Sequence, residues 1–139
     1  MPSFSQTSMD RLRSCDPALE MLFVQVVRDF DCTIVCGHRT AREQQELYAL
    51  GRTKPGRIVT YKDGVNDLSK HNFYPSLAVD VVPHPVQWSN TNRMYHFAGV
   101  VIQTARAMGI RIRWGGDWNR DTQTDDERFV DLPHFELVP

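Results

Sequence analysis

The chain has 139 residues, 16 Lys and Arg against 17 Asp and Glu, and a formal net charge of −1. Hydrophobic residues make up 41% and charged residues 24%, a composition that fits one ordinary globular domain. A fold of this size buries roughly 68–70% of the surface its unfolded chain exposes, so it needs neither disulfides nor a structural metal. Scattered Lys and Arg and a near-neutral balance exclude a nucleic-acid module built on a basic stripe, and no run approaches the ~18 apolar residues that span a bilayer.

Cys15, Cys32 and Cys36 are an odd count that suits reduced thiols. The start, Met1-Pro2-Ser3-Phe4-Ser5-Gln6, lacks the basic and apolar regions of a secretion signal. The expectation is therefore a protein that is cytoplasmic as synthesised. Cys32 and Cys36 lie four apart in an apolar run that reads as a strand. At ~3.3 Å per residue they are ~13 Å apart, too far to share a metal, so they read as buried spectators.

Asp16-Pro17 joins an N-cap to Pro at the first helical position, and Leu19, Leu22, Phe23, Val26, Val27 and Phe30 recur at helical spacing. This predicts a core helix. Cys32-Thr33-Ile34-Val35-Cys36 is a buried strand ending at Gly37-His38-Arg39. Thr40-Ala41-Arg42-Glu43 has the capping-box pattern and opens a second helix that stops at Leu50-Gly51. From Arg52 to Ser69 the chain is polar and glycine-containing, a long loop of the kind that borders a site.

Ala78-Val79-Asp80-Val81-Val82 is a second strand, closed by Pro83 and Pro85, and a third helix runs from about Thr91 to Met108 with Gly109 as its stop. Ile110 to Trp114 alternates as a half-buried strand. An acidic stretch from Asp121 to Arg128 precedes a last strand, Val130 to Val138, broken early by Pro133. With no repeat, linker or low-complexity tract, residues 1–139 read as a single domain. Its expected class is α+β, a small, mainly antiparallel sheet packed with about three helices.

The chemistry concentrates in Ser69-Lys70-His71, Asp80 and Asp131-Leu132-Pro133-His134. Two imidazoles and one carboxylate are a known ligand type of catalytic zinc, with a fourth position open to water. Asp80 interrupts an apolar strand, and a buried carboxylate costs several kcal/mol unless it is paired or bound to a cation. A salt bridge or an exposed strand end is the alternative. Ser69 and the cysteines suggest covalent catalysis, but a metal-activated water makes a protein nucleophile unnecessary.

A wider set of residues accompanies these three: Gly37-His38-Arg39, Gln44-Gln45-Glu46-Leu47-Tyr48, Gly51-Arg52-Thr53-Lys54-Pro55-Gly56, Thr60, Ala78-Val79-Asp80, Trp114-Gly115-Gly116-Asp117-Trp118 and Asp131-Leu132-Pro133-His134-Phe135. In this order, from about Asp10 to Val138, the chain resembles the D-Ala-D-Ala carboxypeptidase-like zinc peptidases, which share a hedgehog/D-Ala-D-Ala peptidase-like fold. It is most similar to their L-alanyl-D-glutamate endopeptidase branch, which includes many phage endolysins.

The resemblance implies one Zn2+ per chain, bound by His71, Asp80 and His134, with Asp131 as general base. It further implies that Arg39 holds the scissile carbonyl oxygen or a substrate carboxylate, work that suits a permanently charged, forked guanidinium. Asp at position 131, where the carboxypeptidase and dipeptidase branches typically carry Glu, favours the endopeptidase branch. One departure is the eight residues between His71 and Asp80, where the commoner pattern has six. An insertion of two preserves strand parity, because strand side chains repeat every two residues. Asp131 and His134 would face opposite sides of a flat strand, so Pro133 must turn the chain between them.

Gln44, Ser69, Trp114 and Trp118 are assigned to substrate binding, although core packing is an equal alternative for the two tryptophans. His38, His84 and His96 are assigned structural or solvent roles. The implied activity is zinc-dependent cleavage of peptidoglycan stem peptides between L-Ala and D-Glu, with no nucleic-acid partner and no membrane segment. The enzyme would be a monomeric endolysin that acts on the wall after release. The lack of room for a wall-binding domain suggests a host with a thin wall behind an outer membrane. The rivals are a D,D- or L,D-carboxypeptidase on the same fold and a non-catalytic peptidoglycan-binding module.

Overall fold

The structure is a computed structural model that describes residues 1–139. Four helices, α1 (Gln6–Arg13), α2 (Pro17–Asp29), α3 (Ala41–Ala49) and α4 (Thr91–Ala107), accompany four strands, β1 (Cys32–Cys36), β2 (Ala78–Pro83), β3 (Ile112–Trp114) and β4 (His134–Leu137). A short 3-10 turn, Lys70–Asn72, precedes β2. The caps form as the sequence predicts. The Asp16 carboxylate accepts from the Ala18 amide, and Thr40 and Glu43 complete a reciprocal capping box.

The sheet has strand order β1-β2-β4-β3, and each neighbouring pair is antiparallel. The class is therefore α+β with a small antiparallel sheet. Its apolar face meets α2 and α4 around three fully buried rings, with Phe23 and Phe97 packed edge-on against Phe135 at centroid distances of 5.5 and 6.1 Å.

The structure corrects the expected elements in three places. First, there are four helices, not three. α1 was not predicted because only Ser8 and Leu12 of its eight residues are buried, too few to mark an apolar face. α1 nevertheless protects the edge strand: Ser8 Oγ accepts from the Ile34 amide at 3.1 Å and Arg11 donates to the Ile34 carbonyl at 3.0 Å, using groups that an open sheet edge would leave unpaired. Second, β3 starts only at Ile112, because the Ile110 amide still bonds back to Ala105 at the end of α4. Third, residues 130–133 are not strand. Leu132 and Pro133 form a turn, closed by the His134 amide donating to the Asp131 carbonyl at 3.1 Å.

Candidate metal centre

The sheet register brings the chemistry together. Asp80, in the middle of β2, lies opposite Cys36 of β1 on one side and His134 of β4 on the other. Its neighbours Val79 and Val81 are buried in the core, so strand alternation turns Asp80 to the opposite face. His71 arrives from the 3-10 turn, which Ser69 caps by accepting from the His71 amide. The His71 carbonyl in turn accepts from the Arg39 amide at 2.8 Å. The Leu132–Pro133 turn brings Asp131 to the same place as His134.

His71 Nε2 lies 3.3 Å from Asp80 Oδ1, and His134 Nδ1 lies 3.4 Å from the same oxygen. Asp131 Oδ2 is 4.0 Å from His134 Nδ1. The outer nitrogen of each imidazole is already engaged. His71 Nδ1 is 2.7 Å from the Gly37 carbonyl and His134 Nε2 is 2.8 Å from Glu136 Oε1. A carbonyl or carboxylate only accepts, so both outer nitrogens carry a proton, and each imidazole in its neutral form turns its lone pair to the centre.

His71 Nε2 and Asp80 Oδ1 are buried without a hydrogen-bond partner despite their proximity. Convergent, unpartnered acceptors are what a cation site requires, and imidazoles locked by a carbonyl or carboxylate are its usual outer support. The donor chemistry thus fits zinc. Asp80 joins two overlapping donor groups, one with Cys36 and His71 and one with Asp131 and His134, each with its ligand atoms within 4.8 Å of one another. The expected trio of His71, Asp80 and His134 takes members from both.

The electrostatics follow from this packing. Burial disfavours the charged form of His71, but the adjacent Asp80 carboxylate, assisted by Cys36, more than reverses this and pushes the imidazole up to about 10. Burial would raise Asp80, yet the adjacent His134 and His71 imidazoles hold it far below the usual carboxylate range. Burial also works against a charged His134, and Asp80 and Glu136 together raise it. Asp131 is shifted upward, first by burial and then by the negative charge of Asp80.

Arg39, His71, Asp80, Asp131 and His134 line one cleft of about 530 Å³, together with Ser69 and Trp118. The Trp118 indole donates to the Phe129 carbonyl, and its ring lies 5.2 Å from that of His134. Arg39 is not a surface arginine: its guanidinium donates to Gln44 Oε1 at 2.8 Å and lies 3.5 Å from Asp80 Oδ2.

Gln44 and Trp114, expected at the substrate, do not line this cleft. Gln44 is fully buried, holding Arg39 with its carbonyl and Thr60 and the Lys62 backbone with its amide, so it positions Arg39 and the long loop. Trp114 is 6% exposed, packs edge-on against Tyr95 and borders a separate cavity beside α4. Its indole donates to the Leu132 carbonyl at 2.7 Å, which braces the turn that carries Asp131.

His38, His84 and His96 lie outside the cleft, against Tyr74, Thr33 and Phe30 respectively. Cys32 is buried in the core and Cys36 half-buried. Cys36 is more than a spectator, because its Sγ lies 3.6 Å from the Arg39 guanidinium. Sequence reasoning missed Glu136. Its signal was a carboxylate two residues beyond His134, hence on the same strand face.

Residues 2–138 match the family described as phage L-alanyl-D-glutamate peptidase. The chain is 33% identical over 117 residues to the peptidoglycan L-alanyl-D-glutamate endopeptidase CwlK of Bacillus subtilis, covering 81% of this chain and 64% of that protein; it thus spans just under two thirds of that relative's length. It is 25% identical over 143 residues to the L-alanyl-D-glutamate peptidase of Escherichia phage T5, covering 97% of each. Among solved structures, the Serratia marcescens L-Ala D-Glu endopeptidase ChiX superposes with a TM-score of 0.67 at 26% identity, over 97% of this chain and 89% of that one. The chain belongs to the phage L-alanyl-D-glutamate peptidase family.

Proposed function

We propose that this protein is a zinc-dependent peptidoglycan hydrolase that cuts the stem peptide between L-Ala and D-Glu, with water as the nucleophile. The carrying observation is the convergence of His71 Nε2, Asp80 Oδ1 and His134 Nδ1, with the other nitrogen of each imidazole already committed. The family's named activity, and that of relatives from Bacillus subtilis and phage T5, supports the choice of bond.

When bound, zinc supplies Lewis acidity: it polarises a carbonyl and lowers the pKa of a coordinated water to about 7. The rest is the work of this chain. Asp131, raised by burial and by Asp80, is the proton acceptor, since a base with increased proton affinity serves better near neutral pH. Arg39, held by Gln44 and Asp80, presents a fixed positive charge where negative charge develops on the carbonyl oxygen. Trp118 forms an aromatic wall beside His134.

Residues 1–139 act as one catalytic unit whose partner is the wall peptide, and the protein works as an endolysin once it reaches the wall. Metal analysis combined with mass spectrometry of digested muropeptides tests this. The expected result is one zinc per chain and new N-terminal D-Glu. Release of a terminal D-Ala alone would indicate a carboxypeptidase, and binding without turnover a non-catalytic module.

A further inference from the structure

We propose that Lys70 and Arg113 form a cationic subsite on the Glu136 side of the cleft, which binds a free carboxylate of the glutamate residue on the leaving side of the scissile bond. This rests on the function proposed above. Four basic residues, Arg39, Lys62, Lys70 and Arg113, line the cleft against three carboxylates, Asp80, Asp131 and Glu136. A bound dication makes the excess of positive charge larger.

The four cations are not equally engaged. Arg39 is tied to Gln44, Cys36 and Asp80. Lys62 is paired with Asp67 at 3.0 Å. Arg113 reaches Glu136 Oε2 at a long 3.6 Å, and its Nε is buried without a partner. Glu136 in turn commits its other oxygen to His134. Lys70 enters no ion pair at all.

Lys70 is also well placed. It immediately precedes His71 in the capped 3-10 turn, and its carbonyl accepts from the Leu77 amide at 3.1 Å. It lines the same cleft as Arg113 and Glu136. The cleft is thus lined by one lysine outside every ion pair and one arginine with an under-used guanidinium, side chains that suit a carboxylate. A glutamate whose amine forms the scissile amide has two carboxyl groups. Continuing the peptide uses at most one, so a free carboxylate remains within a few bonds of the cut.

The test uses the zinc-loaded full chain and two synthetic stem peptides, one with that carboxyl free and one with it amidated. The wild type is expected to favour the free carboxylate by about tenfold to a hundredfold in KM, the range of one charge-assisted hydrogen bond. Lys70→Met should lose most of that preference through KM, with zinc content kept, and Lys70→Arg should restore it. Arg113→Gln should lose part of it.

A Lys70→Met variant that keeps the full preference overturns the subsite, as does a wild type that cuts both peptides equally well; either result leaves the proposed function standing. A wild type that cuts neither peptide overturns the proposed function, and the subsite with it.

Discussion

Asp80 on β2 and His134 on β4 are direct register partners, and Asp80 Oδ1 lies 3.4 Å from His134 Nδ1. Strand pairing itself therefore sets the distance between two of the three proposed ligands. A one-residue slip of either strand would turn one side chain to the other face, so the site and the sheet stand or fall together.

Replacing the proposed base should separate binding from turnover. Asp131→Asn keeps the shape and an acceptor oxygen but is not a base. The expected outcome is normal zinc content with hydrolysis reduced by about 10²- to 10⁴-fold. His134→Ala should lose both zinc and activity. Near-normal zinc in the His134 variant would contradict its assignment as a ligand.

Glu136 fixes the His134 tautomer through its 2.8 Å contact with Nε2. Glu136→Gln weakens that acceptor, and loss of such outer support typically costs 10- to 100-fold in metal affinity. Competition with a chromophoric chelator measures this, and an unchanged affinity would remove Glu136 from the account.

The stability of the chelated protein should depend on pH in a defined way. His71 is raised from 6.5 to about 10, so its contribution is complete below pH 6.5 and is lost as pH rises toward 10. Asp80 is shifted below 3.8, so its contribution is present above pH 3.8 and is lost on further acidification. Thermal melts in chelator should show lower stability at pH 9 than at pH 5.5. Zinc should reduce that loss, because ligation needs the deprotonated imidazoles that higher pH favours. A chelated protein more stable at pH 9 would go against the pairing.

Gly115 lies against the base. A Cβ there would clash with the Asp131 carbonyl oxygen, a backbone atom. Gly115→Ala should therefore destabilise the fold by about 1–3 kcal/mol and displace Asp131, lowering activity more than zinc content. Gly99, on α4, has open space around its would-be Cβ, and Gly99→Ala should leave activity unchanged while adding about 0.5–1 kcal/mol of stability. Chemical denaturation of both variants provides the comparison.

What the sequence disclosed follows physical periodicity. α2 and α4 carry apolar residues at helical spacing, β1 and β2 are short apolar runs, and α3 announces itself by its capping box. α1 was silent because it buries two residues and works through Ser8 and Arg11 hydrogen bonds to β1. Asp80 stood out as a charge inside an apolar strand, whereas bringing it together with His71 and His134 depended on family resemblance. The burial of Gln44 and the packing of Trp114, the latter one of two readings the sequence left open, were not legible because residue type does not disclose which way a side chain points. Both support the site from behind, Trp114 through the Leu132 carbonyl and Gln44 through Arg39. Glu136 was legible only once His134 had been placed on a strand.

The most direct test of the central claim is anomalous diffraction at the zinc edge from crystals of the metal-loaded protein. The account predicts a single zinc peak bounded by His71 Nε2, Asp80 and His134 Nδ1, with Asp131 beside it but not ligating. A peak placed elsewhere, or one held by Cys36 in place of His134, would contradict it.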